Sequence, residues 1–402
     1  MVKRLLYIIC LVAVCAGVVW LGVFYWQNLR GIGPAIKLPA GDIVKEIEAT
    51  PGPFENKTDF PLKLPDGFSI EIFAKDVPGA RVMAFDPFGN MWVSRTSYGA
   101  VTMLETENGK VVRQNDIFRN LKKPHGIVFD YKFPTMLYVA EEHRISRAPT
   151  SSDSGLEKIA DLPSGGGHFT RTIAFGPDDR LYVSIGSSCN VCNEKDDRRA
   201  KIFAMNRDGG DFKEFARGLR NAVFFTWSYV DGRMWATEMG RDLLGDDLPP
   251  DEINIIEEGK NYGWPNCYGK NIHDVNFDKN TYIRNPCMEP FEAGSHIDIP
   301  AHSAPLGLVF VPEEGWPEEY WYNLFVAYHG SWNRSEPTGY KVVRVKLDSR
   351  GNYLGTEDFI SGWLSNGEAS GRPVGLLIQP GGVMYISDDK AGVIYRARHL
   401  GS

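Results

Sequence analysis

Several things are scarce in this 402-residue chain, and each scarcity narrows what it can be. No lysine–arginine run occurs, and 51 acidic against 44 basic side chains leave a net charge of −7. Nucleic-acid binding needs a basic stripe to neutralise phosphates, so this balance argues against it. There is no G-x-G-x-x-G loop, which removes the Rossmann type of nucleotide site. Cysteines number six, and only Cys189, Cys192, Cys267 and Cys287 lie outside an N-terminal apolar run. An even set in an exported body suggests disulfides. Three pairings are possible, and order along the chain favours Cys189–Cys192 with Cys267–Cys287. A metal or redox role for C-N-V-C is the alternative, but not haem attachment, because Asn193 stands where that motif has histidine.

Charge is also missing from residues 5–26, LLYIICLVAVCAGVVWLGVFYW. About 20 apolar residues in a helix span a ~30 Å hydrocarbon core. Lys3 and Arg4 precede the run, favouring a cytoplasmic N-terminus and a periplasmic or extracellular body. A cleaved signal peptide is the alternative, yet the run exceeds the usual ~7–15 residues and no A-x-A-like site follows. The expected organisation is an anchor over 1–26, a tether over 27–60 and one folded body over 61–402.

What the chain does have is 42 glycines, 25 prolines and 12% aromatics, suited to many short strands and tight turns. One unit recurs: an apolar strand, a turn with Pro, Gly or Asp, then a second apolar strand ending in small or polar residues. The copies are MAFDPFGNMWVS from Met83, GIVFDYKFPTMLYVA from Gly126, TIAFGPDDRLYVS from Thr172, VFFTWSYVDGRMWAT from Val223, GLVF…NLFVA from Gly307 and GLLIQPGGVMYIS from Gly375. The shorter spacings match the ~40–50 residues of a four-stranded propeller blade, and two longer ones imply insertions. The expected fold is therefore all-β, a six-bladed β-propeller. The strand from Phe68, ahead of the first copy, should complete the last blade and close the ring.

In a propeller, residues at one phase of every repeat converge at a channel mouth. The positions before each inner strand are Arg81, His125, His168 with Arg171, Arg220 with Asn221, His302 and Arg372. The loops after the second strands add Arg95, Glu141, Glu142, Glu238, His329, Asp388 and Asp389. Arginine forks match carboxylates, and neutral histidine can accept a hydroxyl proton near pH 7. The pattern points to an anionic, multi-carboxylate ligand beside a general base.

At these residues the chain resembles the PQQ-dependent sugar dehydrogenases, the glucose/sorbosone dehydrogenase family, most closely its L-sorbosone dehydrogenase-like branch. The carriers are GGHFTRTIAFGPDDRLYVSIGSSCNVC, GLRNAV…WATEMGRDLLGDDLPPDEIN, KNYGWPNCYG, PAHSAPLGLVF, FVAYHGSWNR and GRPVGLLIQPGGVMYISDD, between about Leu64 and His399. The resemblance implies a six-bladed propeller holding pyrroloquinoline quinone and Ca²⁺ over its channel. By position it makes His168 the base in hydride transfer from a sugar, sugar alcohol or sugar aldehyde to the quinone, with Ca²⁺ as Lewis acid. Arg220, Asn221 and Arg372 match cofactor contacts, and His329, His125, His302 and Arg95 complete the candidate set at the mouth. The segment ending in Gly240 and Arg241 matches backbone ligands of the catalytic Ca²⁺, and Glu252 with Tyr262 matches a second, structural ion. Gly167 and Ser187 stand where glucose dehydrogenases have aspartates, Val223 where they have a glutamine, and Val374 where they have a second arginine. His329 and Arg334 could substitute for a missing cofactor lysine. A membrane quinone or a cytochrome would take the electrons. A Ca²⁺-dependent propeller lactonase or esterase, or a non-catalytic binding module, are the alternatives.

Overall fold

The computed structural model describes residues 15–23, 52–150 and 155–401. Residues 15–23 are helical and belong to a unit, residues 1–50, separate from the body. Among the described residues no helix is long and apolar enough to cross a membrane. The expected anchor and tether fall mostly outside the described residues.

The body is a closed ring of six antiparallel sheets, as the repeat predicts. Blade 1 runs Ala80–Phe85, Met91–Arg95, Ala100–Glu107, Lys110–Phe118; blade 2 Ile127–Phe129, Met136–Glu141, Arg144–Pro149, Glu157–Asp161. Blade 3 is Ile173–Phe175, Leu181–Ile185, Lys201–Met205, Lys213–Arg217. Blade 4 is Phe225–Trp227, Met234–Glu238, Asp251–Ile256 and, after a long insertion, Ile297–Ile299. Blade 5 is Pro305–Phe310, Leu324–Tyr328, Lys341–Leu347, Tyr353–Ile360. Blade 6 takes Pro373–Gln379, Val383–Asp388 and Val393–His399 from the C-terminal end of the chain and Phe68–Ala74 from before blade 1. Phe68 pairs with His399 and Ile70 with Ala397, so the two chain segments share one sheet and close the ring. Glu55–Lys57 adds a parallel fifth strand outside it.

Strand two of every blade is the core strand: Met91–Arg95, Leu181–Ile185, Met234–Glu238 and Leu324–Tyr328 are buried at every residue. Both faces lie between neighbouring sheets, which explains apolar runs in place of strict alternation. The polar residue ending these strands has a defined task. Ser184 Oγ donates to the Ala222 carbonyl, Thr237 Oγ1 to Leu306 (2.8 Å) and Ser387 Oγ to Arg81 (2.6 Å), each reaching the inner segment of the next blade. Inner strands approach so closely that a Cβ on Gly307 would sit 2.5 Å from the Val374 carbonyl, and one on Gly375 2.3 Å from that of Arg81. Only glycine permits that approach. Between blades aromatic rings pack among aliphatic side chains; Trp235, fully buried, meets the His296 and Phe310 rings edge-on.

Both expected disulfides form, Cys189–Cys192 on the loop after the second strand of blade 3 and Cys267–Cys287 within the blade 4 insertion. Cys189, Cys192 and Glu194 cluster, but both sulfurs are bonded to each other, so the group offers no thiolate to a metal.

Candidate active site

The loops at one end of blades 3 to 6 enclose a cavity of about 320 Å³. Four residues from the inner-strand phase reach it: His168, Arg220, His302 and Arg372. His329, from the loop after the second strand of blade 5, joins them, with Gly240, Asp242, Asp251, Trp332 and Asn333. Residues 204 positions apart, His168 to Arg372, thus line one chamber.

His168 is held by its neighbours rather than by a carboxylate. Arg171, fully buried, donates to the His168 carbonyl (3.0 Å) and to those of Thr170 and Pro163, fixing the backbone. Nδ1 of His168 lies 2.8 Å from Ser187 Oγ and 3.0 Å from the Ser187 carbonyl. Ser187 Oγ already donates to the Cys189 carbonyl (2.7 Å), so both Ser187 oxygens are acceptors toward the ring. Nδ1 therefore carries the proton, and Nε2 keeps its lone pair. Burial, with the Arg220 charge nearby, lowers the pKa of His168 to about 3. The imidazole is neutral at physiological pH.

His329 has different company. Its Nε2 meets Asp389 Oδ1 at 2.9 Å, and Arg81 Nη1 holds Asp389 Oδ2 at 2.7 Å. Burial works to raise the Asp389 pKa, but the His329 hydrogen bond and Arg81 outweigh it and the carboxyl stays ionised. His302 gives Nε2–H to the Gly245 carbonyl (2.8 Å).

Both cavity arginines are pre-set. Arg220 Nε and Nη2 contact Asn190 at 2.9 Å each, Nη1 the Met239 carbonyl (3.2 Å), and Nη2 also Asp242 (3.1 Å). Arg372 donates Nε to the His329 carbonyl (3.0 Å) and Nη2 to Gly330, with the Tyr340 ring 5.4 Å from the guanidinium. Those contacts include no carboxylate; Asp389 lies within electrostatic reach of Arg372, but no carboxylate oxygen bonds the guanidinium, which lines the chamber. Asn221 has one partner for its amide Nδ2, the weakly accepting thioether of Met239 at 3.4 Å. Asn221, expected as a cofactor contact, is buried behind Met239 and does not line the chamber, whereas two arginines and three histidines that do line it fit an anion with several carboxylates.

Beside this chamber lies a narrower one lined by Gly240, Arg241, Glu252 and Tyr262, together with Glu238 and Asp274. The four residues expected as metal ligands thus share one cleft. Burial raises Glu252 to about 7, and pushes Glu238 up as well. Glu238 Oε1 accepts the Asn221 N–H, but its buried Oε2 has no partner. A buried, unpartnered carboxylate oxygen is the donor a hard cation takes. The Tyr262 hydroxyl is engaged elsewhere, donating to the Ile255 carbonyl (2.6 Å), so only its backbone remains for a metal.

Three expectations fail. Arg95 does not reach the cavity: it pairs with Asp116 (3.1 Å), donates to the Pro78 carbonyl and bridges the strands of its own blade. His125 is completely buried under the mouth against Phe224, where burial holds it neutral, and it does not line the chamber. Arg334 braces the 242–247 loop through Asp246 and Asp247. Val223 and Val374 are packed in the core between blades. Sequence reasoning missed Asp251, whose carboxylate accepts Gly240 N–H and Ala304 N–H (2.8 Å each) and ties blade 4 to blade 5, and Asp242, which opens the acidic run 242–247 that by sequence reads as Ca²⁺ ligands or as a solvated insertion. Trp332, 73% exposed at the rim, was passed over although it stands in the quoted motif.

Fold and site together define a propeller with an arginine- and histidine-lined chamber at one mouth. The TrAA12-like family profile matches residues 62–399, and the chain belongs to that family. The resemblance to the PQQ-dependent sugar dehydrogenases is thereby borne out. Among relatives, an uncharacterised protein of Borreliella burgdorferi is 32% identical, covering 83% of this chain and 90% of that one. The pyrroloquinoline quinone-dependent pyranose dehydrogenase of Coprinopsis cinerea is 35% identical over 85% of this chain. This chain spans 55% of that enzyme's length. The calcium structure of Trichoderma reesei Carbohydrate-Active Enzymes Family AA12 superposes with a TM-score of 0.73 at 19% identity, covering 86% of this chain and all of that one, and so speaks for the fold.

Proposed function

We propose that the protein is a quinoprotein oxidoreductase that oxidises a pyranose or related sugar, with pyrroloquinoline quinone and Ca²⁺ as its cofactors. The observation that carries this reading is the meeting of Arg220, Arg372, His168, His302 and His329 around one chamber. Bound there, the quinone would accept the two electrons leaving the sugar, with Ca²⁺ acting on it as a Lewis acid. Arg372 would hold a quinone carboxylate, with Arg220 setting the wall beside it. His168, its Nδ1–H turned to Ser187, would take the sugar hydroxyl proton at Nε2. Backbone oxygens of Gly240 and Arg241 would serve the catalytic ion, and Glu252 with the Tyr262 backbone a second one. Trp332 offers a face on which a sugar ring can stack.

In this reading residues 5–26 anchor the enzyme and keep its body outside the cytoplasm, beside a membrane quinone or cytochrome acceptor. Sorbosone is one substrate to test among aldoses and pyranoses. A metal-dependent lactonase would need acidic and amide side chains converging on the channel, and this chamber presents arginine and histidine.

The test is to add the quinone and Ca²⁺ to purified protein, then follow cofactor absorbance and dye reduction across a sugar panel. Reduction that disappears in His168→Ala supports the proposal. Lactone hydrolysis without quinone would replace it with the hydrolase, and failure to bind quinone would leave a binding module.

A further inference from the structure

We infer that Asn190, inside the Cys189–Cys192 ring, is a positioning residue that sets Arg220 for the anion; the inference rests on the proposed quinoprotein reading. The ring lies outside any strand, yet Asn190 is tied on every side. Its carbonyl accepts Arg220 Nε (2.9 Å) and Trp264 Nε1 (3.4 Å). Its Oδ1 accepts Arg220 Nη2 (2.9 Å) and the Asp242 N–H (2.8 Å), while its Nδ2 donates to the Asp242 carbonyl (3.1 Å). One residue thereby joins the loop of blade 3, the arginine opening blade 4, the 242–247 loop and the indole of the blade 4 insertion.

The residue type follows from those contacts. The 242 position needs both an acceptor for its N–H and a donor for its carbonyl, and an amide alone supplies both at this length. Aspartate would keep the acceptor, lose the donor and set a second carboxylate beside Asp242. Alanine would keep only the two bonds to the backbone carbonyl, from Arg220 Nε and Trp264 Nε1. The disulfide gives the anchor its rigidity: four residues closed by a bridge cannot slide, so Asn190 stays where Arg220 needs it. The same ring reaches the base, because the Cys189 carbonyl takes the Ser187 hydroxyl that in turn faces His168 Nδ1. Arginine and histidine are thus referenced to one ring, which lines neither chamber.

The experiment is a double-mutant cycle read by quinone binding, followed by cofactor absorbance with Ca²⁺ and without sugar. Asn190→Ala should weaken binding by about 10- to 100-fold, the cost of an arginine losing a hydrogen-bonded partner. In an Arg220→Ala background the same substitution should cost no more than about twofold, since it acts through that side chain. An equal loss in both backgrounds, or none in the first, overturns the inference. A second measurement needs no ligand: the Arg220 Nη2–H signal in ¹⁵N NMR should resist exchange with water in the wild type, weaken in Asn190→Ala and return in Asn190→Asp, which restores the Oδ1 acceptor of Nη2. An unchanged signal in Asn190→Ala overturns positioning. If the wild type binds no quinone but the signal responds as stated, the cofactor reading fails and the positioning role stands.

Discussion

Ser187→Asp tests how His168 works as a base. In the wild type a hydroxyl and a carbonyl face Nδ1, at 2.8 and 3.0 Å, and neither can carry a negative charge to stabilise an imidazolium. With burial and Arg220 acting against the cation, the pKa falls to about 3. A carboxylate at that position adds a charge-assisted hydrogen bond worth about 1.5–3 kcal/mol, which raises the His168 pKa by about 1–2. If half of that gain reaches the transition state, kcat near pH 7 rises about 3- to 10-fold. The sign is unambiguous, because the stronger base is still neutral at pH 7. The pH profile of kcat/KM should show no acid limb near 6.5 in the wild type, and Ser187→Asp should move the limb upward from about pH 3. Aspartate cannot donate to the Cys189 carbonyl, so Ser187→Ala, which loses that donation without adding charge, separates the two effects and should lower kcat severalfold. A wild-type limb at 6.5 would refute the neutral, desolvated base. An unmoved limb in Ser187→Asp, with activity still lost in His168→Ala, would refute Ser187 as its orienter.

Three further outcomes follow from the same geometry. Arg372→Ala should weaken quinone binding by about 10- to 100-fold in a titration followed by absorbance, because it removes a guanidinium that lines the chamber without a carboxylate hydrogen bond, whereas Arg95→Ala should leave binding within about twofold. Glu252 is raised to about 7 from 4.5 by burial, so the stability it contributes is complete below pH 4.5 and is lost as pH rises through about 7. Thermal denaturation with and without Ca²⁺ should show the ion stabilising the protein more at pH 8 than at pH 6, and Glu252→Gln should erase that difference. Trp235→Ala should cost about 3–5 kcal/mol in denaturant unfolding, since the indole is fully buried between blades 4 and 5.

The ring itself was legible because blade packing imposes a local signature. Strands two are buried on both faces, so they read as MWVS, LYVS, MWAT and VMYIS; Ser184, Thr237 and Ser387 report hydrogen bonds to the next blade, and Ser94 one within its own. Ring closure by Phe68 was legible from one strand left over ahead of the first repeat. The phase argument found His168, Arg220, His302, His329 and Arg372 because phase fixes which end of the ring a residue occupies. It could not fix depth or direction. His125 and His168 share a phase, but His125 sinks against Phe224 while His168 is lifted to the chamber by the 163–171 loop. Arg95 sits at the right end of its strand and turns sideways, because Asp116 on the same blade offers a closer partner than the pore.

The two acids that sequence reasoning missed, Asp242 and Asp251, share one property: they are ligands to other protein groups. Asp242 looked like a solvated acid because nothing local announces Arg220, 22 residues back, or Asn333, 91 residues on. Asp251 satisfies two backbone N–H groups from loops that meet only after folding. Such contacts explain why blades 3 to 6 alone build the chamber. Those blades carry the bridged ring and the blade 4 insertion, and these supply Asn190 and Trp264 to hold Arg220 in place. At the mouth of blades 1 and 2, Arg81, Lys123 and Glu142 find partners in Asp389 and in one another. A charge already paired there is spent on the scaffold, whereas Arg372, fixed by carbonyls alone, keeps its charge for whatever enters.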